Sequence, residues 1–172
     1  MPTIGVAVAI PEPWATELQD FRASLGDATA AKIPTHITLV PPTEVSDEEF
    51  DEIQEHLVSA ADEVASFGVH LRGTGTFRPV SPVVFVSLVE GIAGCEQLCD
   101  AVRRGPLRLD LAFPYHPHVT IAHDVSEERL DLAFDQLADF ECSFEVGDFK
   151  LYVHDEELGW RPVRYYPLQR GT

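Results

Sequence analysis

Apolar and polar positions along this chain follow two periods, and each change of period marks a new element. Residues 4–10 are almost all apolar and predict a first strand. Trp14, Leu18, Phe21 and Leu25 then form the stripe of a helix that opens at Pro13 and stops at Gly26. Residues 33–40 alternate again and predict a strand closed by Pro41-Pro42. After Ser46, Phe50, Ile53, Leu57, Ala61 and Val64 share one helical face; Asp47, Glu48, Asp51, Glu52 and Glu55 form a solvated acidic face opposite. Strands are predicted at 69–77 and 83–89, and a helix at 93–104 that ends at Gly105-Pro106. Residues 107–113 read as a strand or an extended lead into Pro114-Tyr115-His116-Pro117. A strand at 119–122 and a helix at 127–138 burying Leu130, Phe134 and Leu137 follow. The tail, 140–168, alternates as two or three antiparallel strands. Short strands interleaved with helices predict an α+β fold of mainly antiparallel sheets, with 1–172 as a single domain.

Two of these strands carry nearly the same string. His36-Ile37-Thr38-Leu39 and His118-Val119-Thr120-Ile121 are both His-x-Thr-x with apolar residues at x. Chance placement predicts roughly 0.08 strings of this form. The flanks repeat too. Pro34 and Pro117 precede the motifs, and Val45-Ser46-Asp47-Glu48 and Val125-Ser126-Glu127-Glu128 follow them. Both serines are placed as helix N-caps, and Ser46 with Glu49 completes a capping box. Ser126 lacks that partner, because Arg129 stands at the equivalent position. The unit of strand, loop and capped helix therefore occurs twice. Two copies are too few for a solenoid and predict a duplicated, bilobal molecule.

Charge narrows the partners. The chain has a net charge of −17 and only 12 Lys and Arg, which excludes a surface that tracks duplex nucleic acid. A small nucleotide or the end of an RNA remains compatible. No stretch has the length to span a membrane, and the first ten residues lack the basic start of a signal peptide. A cytoplasmic monomer is the expectation. Cys95, Cys99 and Cys142 make neither a disulfide framework nor a zinc signature and read as buried thiols.

Alternation puts His36 and Thr38 on one strand face and Ile37 and Leu39 on the other, and it does the same for His118 and Thr120. Histidine is a general acid or base near neutral pH without large perturbation. If two equivalent strands meet, one imidazole deprotonates the nucleophile attacking a phosphorus and the other protonates the leaving oxygen. Thr38 and Thr120 donate hydrogen bonds to the non-bridging oxygens. No carboxylate cluster in the sequence calls for a metal, and no cofactor is expected. Tyr115 and Phe85 are candidates to stack on a base. Arg78 is a weaker candidate for a phosphate contact, and His116 for a place in the groove. His56, His70 and His154 receive no role.

The paired motifs resemble the signature of the 2H phosphoesterase superfamily, within it the 2′-5′ RNA ligase and RNA 2′,3′-cyclic phosphodiesterase branch. Tyr115-His116-Pro117-His118-Val119-Thr120-Ile121 is similar to that branch's second motif, and Gly75-Thr76-Phe77 with Val83-Val84-Phe85-Val86 resembles its pattern between motifs. The resemblance implies two lobes of antiparallel sheet backed by helices, with both motifs facing a central groove. It also implies metal-independent hydrolysis of 2′,3′-cyclic phosphate ends of RNA or nucleotides to 2′-phosphates, with 2′-5′ RNA ligation in several members. Members commonly carry Arg five residues after the second motif histidine. Here that position is His123, a weaker and pH-dependent phosphate contact. Two alternatives remain. One is a smaller substrate: a cyclic nucleotide, a 2′-5′ oligonucleotide or ADP-ribose cyclic phosphate. The other is a catalytically silent nucleotide-binding module.

Overall fold

The computed structural model describes residues 1–108 and 114–170. In chain order its elements are β1 (Thr3–Ala9), α1 (Trp14–Ser24), β2 (His36–Glu44), α2 (Asp47–Asp62), β3 (Phe67–Thr76), β4 (Val83–Glu90), α3 (Ile92–Val102), β5 (His118–His123), α4 (Glu127–Gln136), β6 (Glu141–Val146), β7 (Asp148–Asp155) and β8 (Gly159–Pro167). They build two four-stranded sheets, ordered β2-β1-β7-β8 and β5-β4-β3-β6. Every pairing within them is antiparallel. The expected α+β architecture of antiparallel sheets with helices is therefore what the chain adopts. The possible strand at 107–113 lies largely outside the described residues; Leu107 itself closes a short 3-10 turn, Gly105–Leu107.

Both caps form as the sequence predicts. The Ser46 hydroxyl accepts from the Glu49 N–H at 3.1 Å, and the Ser46 N–H donates to Glu49 Oε1 at 3.0 Å. Ser126 accepts from the Arg129 N–H at 3.3 Å, with no reciprocal carboxylate. One expectation is corrected. The first motif strand does not stop before Pro41-Pro42 but runs through them to Glu44. Val6 faces Val40 and Ile4 faces Thr43, so Gly5 alone stands opposite the two prolines in a bulge. β2 is an edge strand, where missing N–H groups disturb no outer ladder.

The tail divides between the sheets. β6 pairs with β3, whereas β7 and β8 complete the sheet that holds β1 and β2. The helices cross as well: α1 packs against β5 and α3 against β2, each belonging to the opposite sheet from the strand just before it in the chain. A single cluster of buried residues joins Ile37 and Leu39 of β2 to Val119 and Ile121 of β5. All four are fully buried, and burying each such side chain contributes about 1.5–3 kcal/mol. That burial locks the motif register. A slip by one residue would expose the four apolar side chains and bury two histidines and two threonines.

Candidate active site

β2 and β5 are each the outer strand of their sheet, and they lie against one another across a groove of about 440 Å³. His36, Thr38, His118, Thr120 and His123 all line it. The edge of β2 is satisfied from the far side: the Tyr115 hydroxyl donates to the Thr38 carbonyl at 2.7 Å, and Arg103 Nε donates to the Leu39 carbonyl at 2.8 Å.

The two motif histidines are held alike. His36 Nδ1 lies 2.6 Å from the Pro34 carbonyl, and His118 Nδ1 lies 2.7 Å from the His116 carbonyl. A carbonyl only accepts, which assigns the proton of each neutral ring to Nδ1. Nε2 therefore carries the lone pair in both. The Thr38 hydroxyl donates to His36 Nε2 at 3.1 Å. Burial pulls both imidazoles below their usual range, against the pull of the backbone carbonyls. The positive charge of Arg22 lowers His36 further, and His116 and His36 lower His118 further. Neutral bases at pH 7 are the result.

A packed aromatic group backs His118. Phe77 meets its ring edge-on at 4.9 Å, Phe85 lies 5.2 Å away, and the two phenylalanines are 4.6 Å apart. Gly75 makes this possible, since a Cβ there would stand 2.7 Å from the Phe85 ring. Neither residue expected to stack on a base lines the groove. Phe85 is opposite Thr120 in the β4–β5 ladder and so points to the same face, but Phe77, His116 and His118 cover its ring. The Tyr115 hydroxyl is committed to β2, and Arg103 lies 5.3 Å over its ring. Among the described residues, the aromatic side chains that do reach the groove are Phe77, Tyr152 and Trp160. Trp160 reaches it over Gly5, where a Cβ would stand 3.3 Å from the indole.

Arg78 is turned away. It bonds Glu127 at 3.1 Å, Asp131 at 2.8 Å and the Thr76 hydroxyl at 3.1 Å, outside the groove. His116 packs on Phe77 and Phe85, also outside it. His123 does line the groove; its side chain is half exposed, with Nε2 3.5 Å from Asp124 Oδ2. Arg22, which stands in neither motif, lines the groove as well. Its signal was a charge one turn after Leu18 on the apolar stripe of α1. Trp160 and Phe77 gave no such signal, since each fits ordinary strand alternation. No Asp or Glu is among the described residues lining the groove, despite the charge of −17. Nor do three His, Cys, Asp or Glu side chains cluster as a metal site among the described residues. The cysteines are buried thiols, and burial raises Cys95 to about 12 and Cys99 to about 11.

Comparison with known proteins agrees with this geometry. A candidate phosphoesterase of Bacillus cytotoxicus is 28% identical over 148 residues, 85% of this chain and 86% of the relative. One from Staphylococcus haemolyticus is 24% identical over 168 residues, 96% of this chain and 98% of the relative. The crystal structure of apo LigT from E. coli superposes with a TM-score of 0.75 at 24% identity, covering 98% and 99% of the two chains. LigT complexed with 3′-AMP superposes at 0.72 and 22% identity, covering 99% and 100%. Those two structures show a shared fold. The sequence model of the 2'-5' RNA ligase superfamily matches residues 10–158, both motifs included, and the chain belongs to that superfamily.

Proposed function

We propose that this protein is a phosphoesterase that opens 2′,3′-cyclic phosphates on nucleotides or RNA ends to 2′-phosphates, with His36 and His118 as its acid–base pair. The observation that carries the reading is the matched pair of imidazoles. Each presents Nε2 from an edge strand with a threonine two residues on, in a groove with no carboxylate among its described lining residues. Neutral Nε2 of one histidine takes a proton from water as the water oxygen bonds to phosphorus. The other ring, neutral in the free groove, takes up a proton as the anionic phosphate settles beside it, and its Nε2 gives that proton to the 3′-oxygen as the P–O bond breaks. The 2′-phosphate leaves, and a proton passes between the rings through solvent to reset them. Thr120, and Thr38 once its hydroxyl turns from His36 Nε2 to the substrate, hydrogen-bond the non-bridging oxygens as charge builds there. With a 5′-hydroxyl in place of water, the same steps form a 2′-5′ linkage.

The groove volume and the charge of −17 favour a mononucleotide or a short end over a long polynucleotide. The 3′-AMP complex of LigT supports a nucleotide-sized ligand, and the names of the bacterial relatives support phosphoester chemistry. The test is turnover of 2′,3′-cyclic mononucleotides and of cyclic-phosphate-ended RNA, in EDTA and with His36→Ala and His118→Ala. Each variant is expected to lose about 10²–10⁴ in kcat, with wild-type activity undiminished by EDTA. Wild-type turnover by either variant would refute the two-histidine mechanism. Nucleotide binding with no turnover of any of these substrates would favour the silent binding module.

A further inference from the structure

We propose that Arg22 supplies the fixed positive charge that binds the substrate's phosphate, and that Asp27 and Thr29 hold it aimed into the groove. This rests on the reading of the groove as a phosphate-ester site and adds to it a residue outside both motifs. Arg22 is the only Lys or Arg among the described residues lining the groove. Its side chain is 6% exposed and is among those lining the groove. Nε and Nη2 both donate to Asp27 Oδ2, at 3.2 and 2.8 Å. Asp27 Oδ1 in turn accepts from the N–H and the hydroxyl of Thr29, at 2.9 and 2.6 Å. The carboxylate is thus immobilised, and the guanidinium plane with it. Among the described residues Nη1 makes no hydrogen bond, yet it is not among the buried polar atoms left unsatisfied. An amino group in that position is open to the groove and has donors to spare.

Stability alone does not account for the pair. Buried ion pairs are often no better than apolar replacements, so a pair retained beside a cavity calls for another reason. Electrostatics supply one. In a chain of net charge −17, the described residues lining the groove include no carboxylate and one permanent cation. The three lining histidines charge only by titration, whereas an arginine stays charged at all working pH. Arg22 and His36 line the same groove, and the positive charge of Arg22 adds to burial in lowering the His36 pKa. A phosphate seated between His36 and His118 would take a charge-assisted bond from Nη1.

The test separates phosphate binding from folding and from catalysis. Affinity for 2′-AMP and for adenosine is measured calorimetrically on the wild type, Arg22→Gln and Arg22→Lys, with Tm recorded for each. The wild type should bind 2′-AMP more tightly than adenosine. Arg22→Gln should weaken 2′-AMP by about 10- to 100-fold, the loss of one hydrogen bond to a charged group, and leave adenosine unchanged. Arg22→Lys should fall between. If Arg22→Gln loosens the fold, Arg22→Lys still reports on the charge. Equal affinity of Arg22→Gln and wild type for 2′-AMP overturns the proposal. So does an equal loss for both ligands, or a wild type that does not prefer 2′-AMP to adenosine. A wild type that binds as expected but hydrolyses no cyclic phosphate would refute the proposed activity and leave this assignment of Arg22 standing.

Discussion

Phe85→Ala tests the packing behind His118. Phe85 is 6% exposed, and its ring touches Phe77, His116 and His118 over Gly75. A buried Phe removes roughly 150–250 Å² from water, which at about 25 cal/mol per Å² is about 4–6 kcal/mol as an upper bound. Measured Phe→Ala changes in cores run about 3–5 kcal/mol, and we adopt that range. For a chain of 172 residues this lowers Tm by about 6–20 °C. The same cavity admits water to His118, whose pKa burial holds down. Its pKa should therefore rise toward the ordinary imidazole value, and the matching limb of the pH–rate profile should move up with it. Thermal melts and pH–rate curves of wild type, Phe85→Ala and Phe85→Leu check both parts. Phe85→Leu refills much of the space and should recover most of the Tm. A drop under about 3 °C in Phe85→Ala, with the limb unmoved, would refute the claim that this ring supports and dries the site.

Trp160→Ala should raise KM for a cyclic nucleotide several-fold with kcat nearly unchanged, because its ring lines the groove but is neither acid nor base; a fall in kcat alone would count against a binding role. Stability should fall as pH drops from about 7 through the ordinary imidazole range. His36 and His118 have folded pKa values below the unfolded value near 6.5, so the unfolded chain binds more protons there and stability is lost as pH drops through that window. Urea unfolding at several pH values reads this, and an increase in stability on acidification would contradict it. Ser46→Ala should cost about 1 kcal/mol, and Ser126→Ala less, because only Ser46 has the reciprocal Glu49 bond. Paired melts compare them, and the reverse order would count against the asymmetry of the two caps.

Much of the site was legible because the motif is local. His36 and Thr38 share a face by the pleat alone, and Ile37 and Leu39 face the core for the same reason. Ser46 and Ser126 cap helices through atoms three residues away. Pro41-Pro42 misled, since a proline is a stop in a central strand and only a bulge on an edge, and edge status is not local. Phe85 and Tyr115 misled for a related reason. Aromatic character was visible, but what covers a ring is not.

The residues by themselves determined two equivalent His-x-Thr strands, their buried reverse faces and the helices that follow. Spacing of a few residues decides each of these through backbone geometry and capping. Only the tertiary structure decided that β2 and β5 would be facing edges, that β6 would leave β7 and β8 for the other sheet, and that Arg22 and Trp160 would enter the groove. An alternating strand carries the same pattern whichever sheet it joins. The choice is made by hydrogen-bond partners and a shared core far away in sequence, and so the groove exists only once the chain has closed.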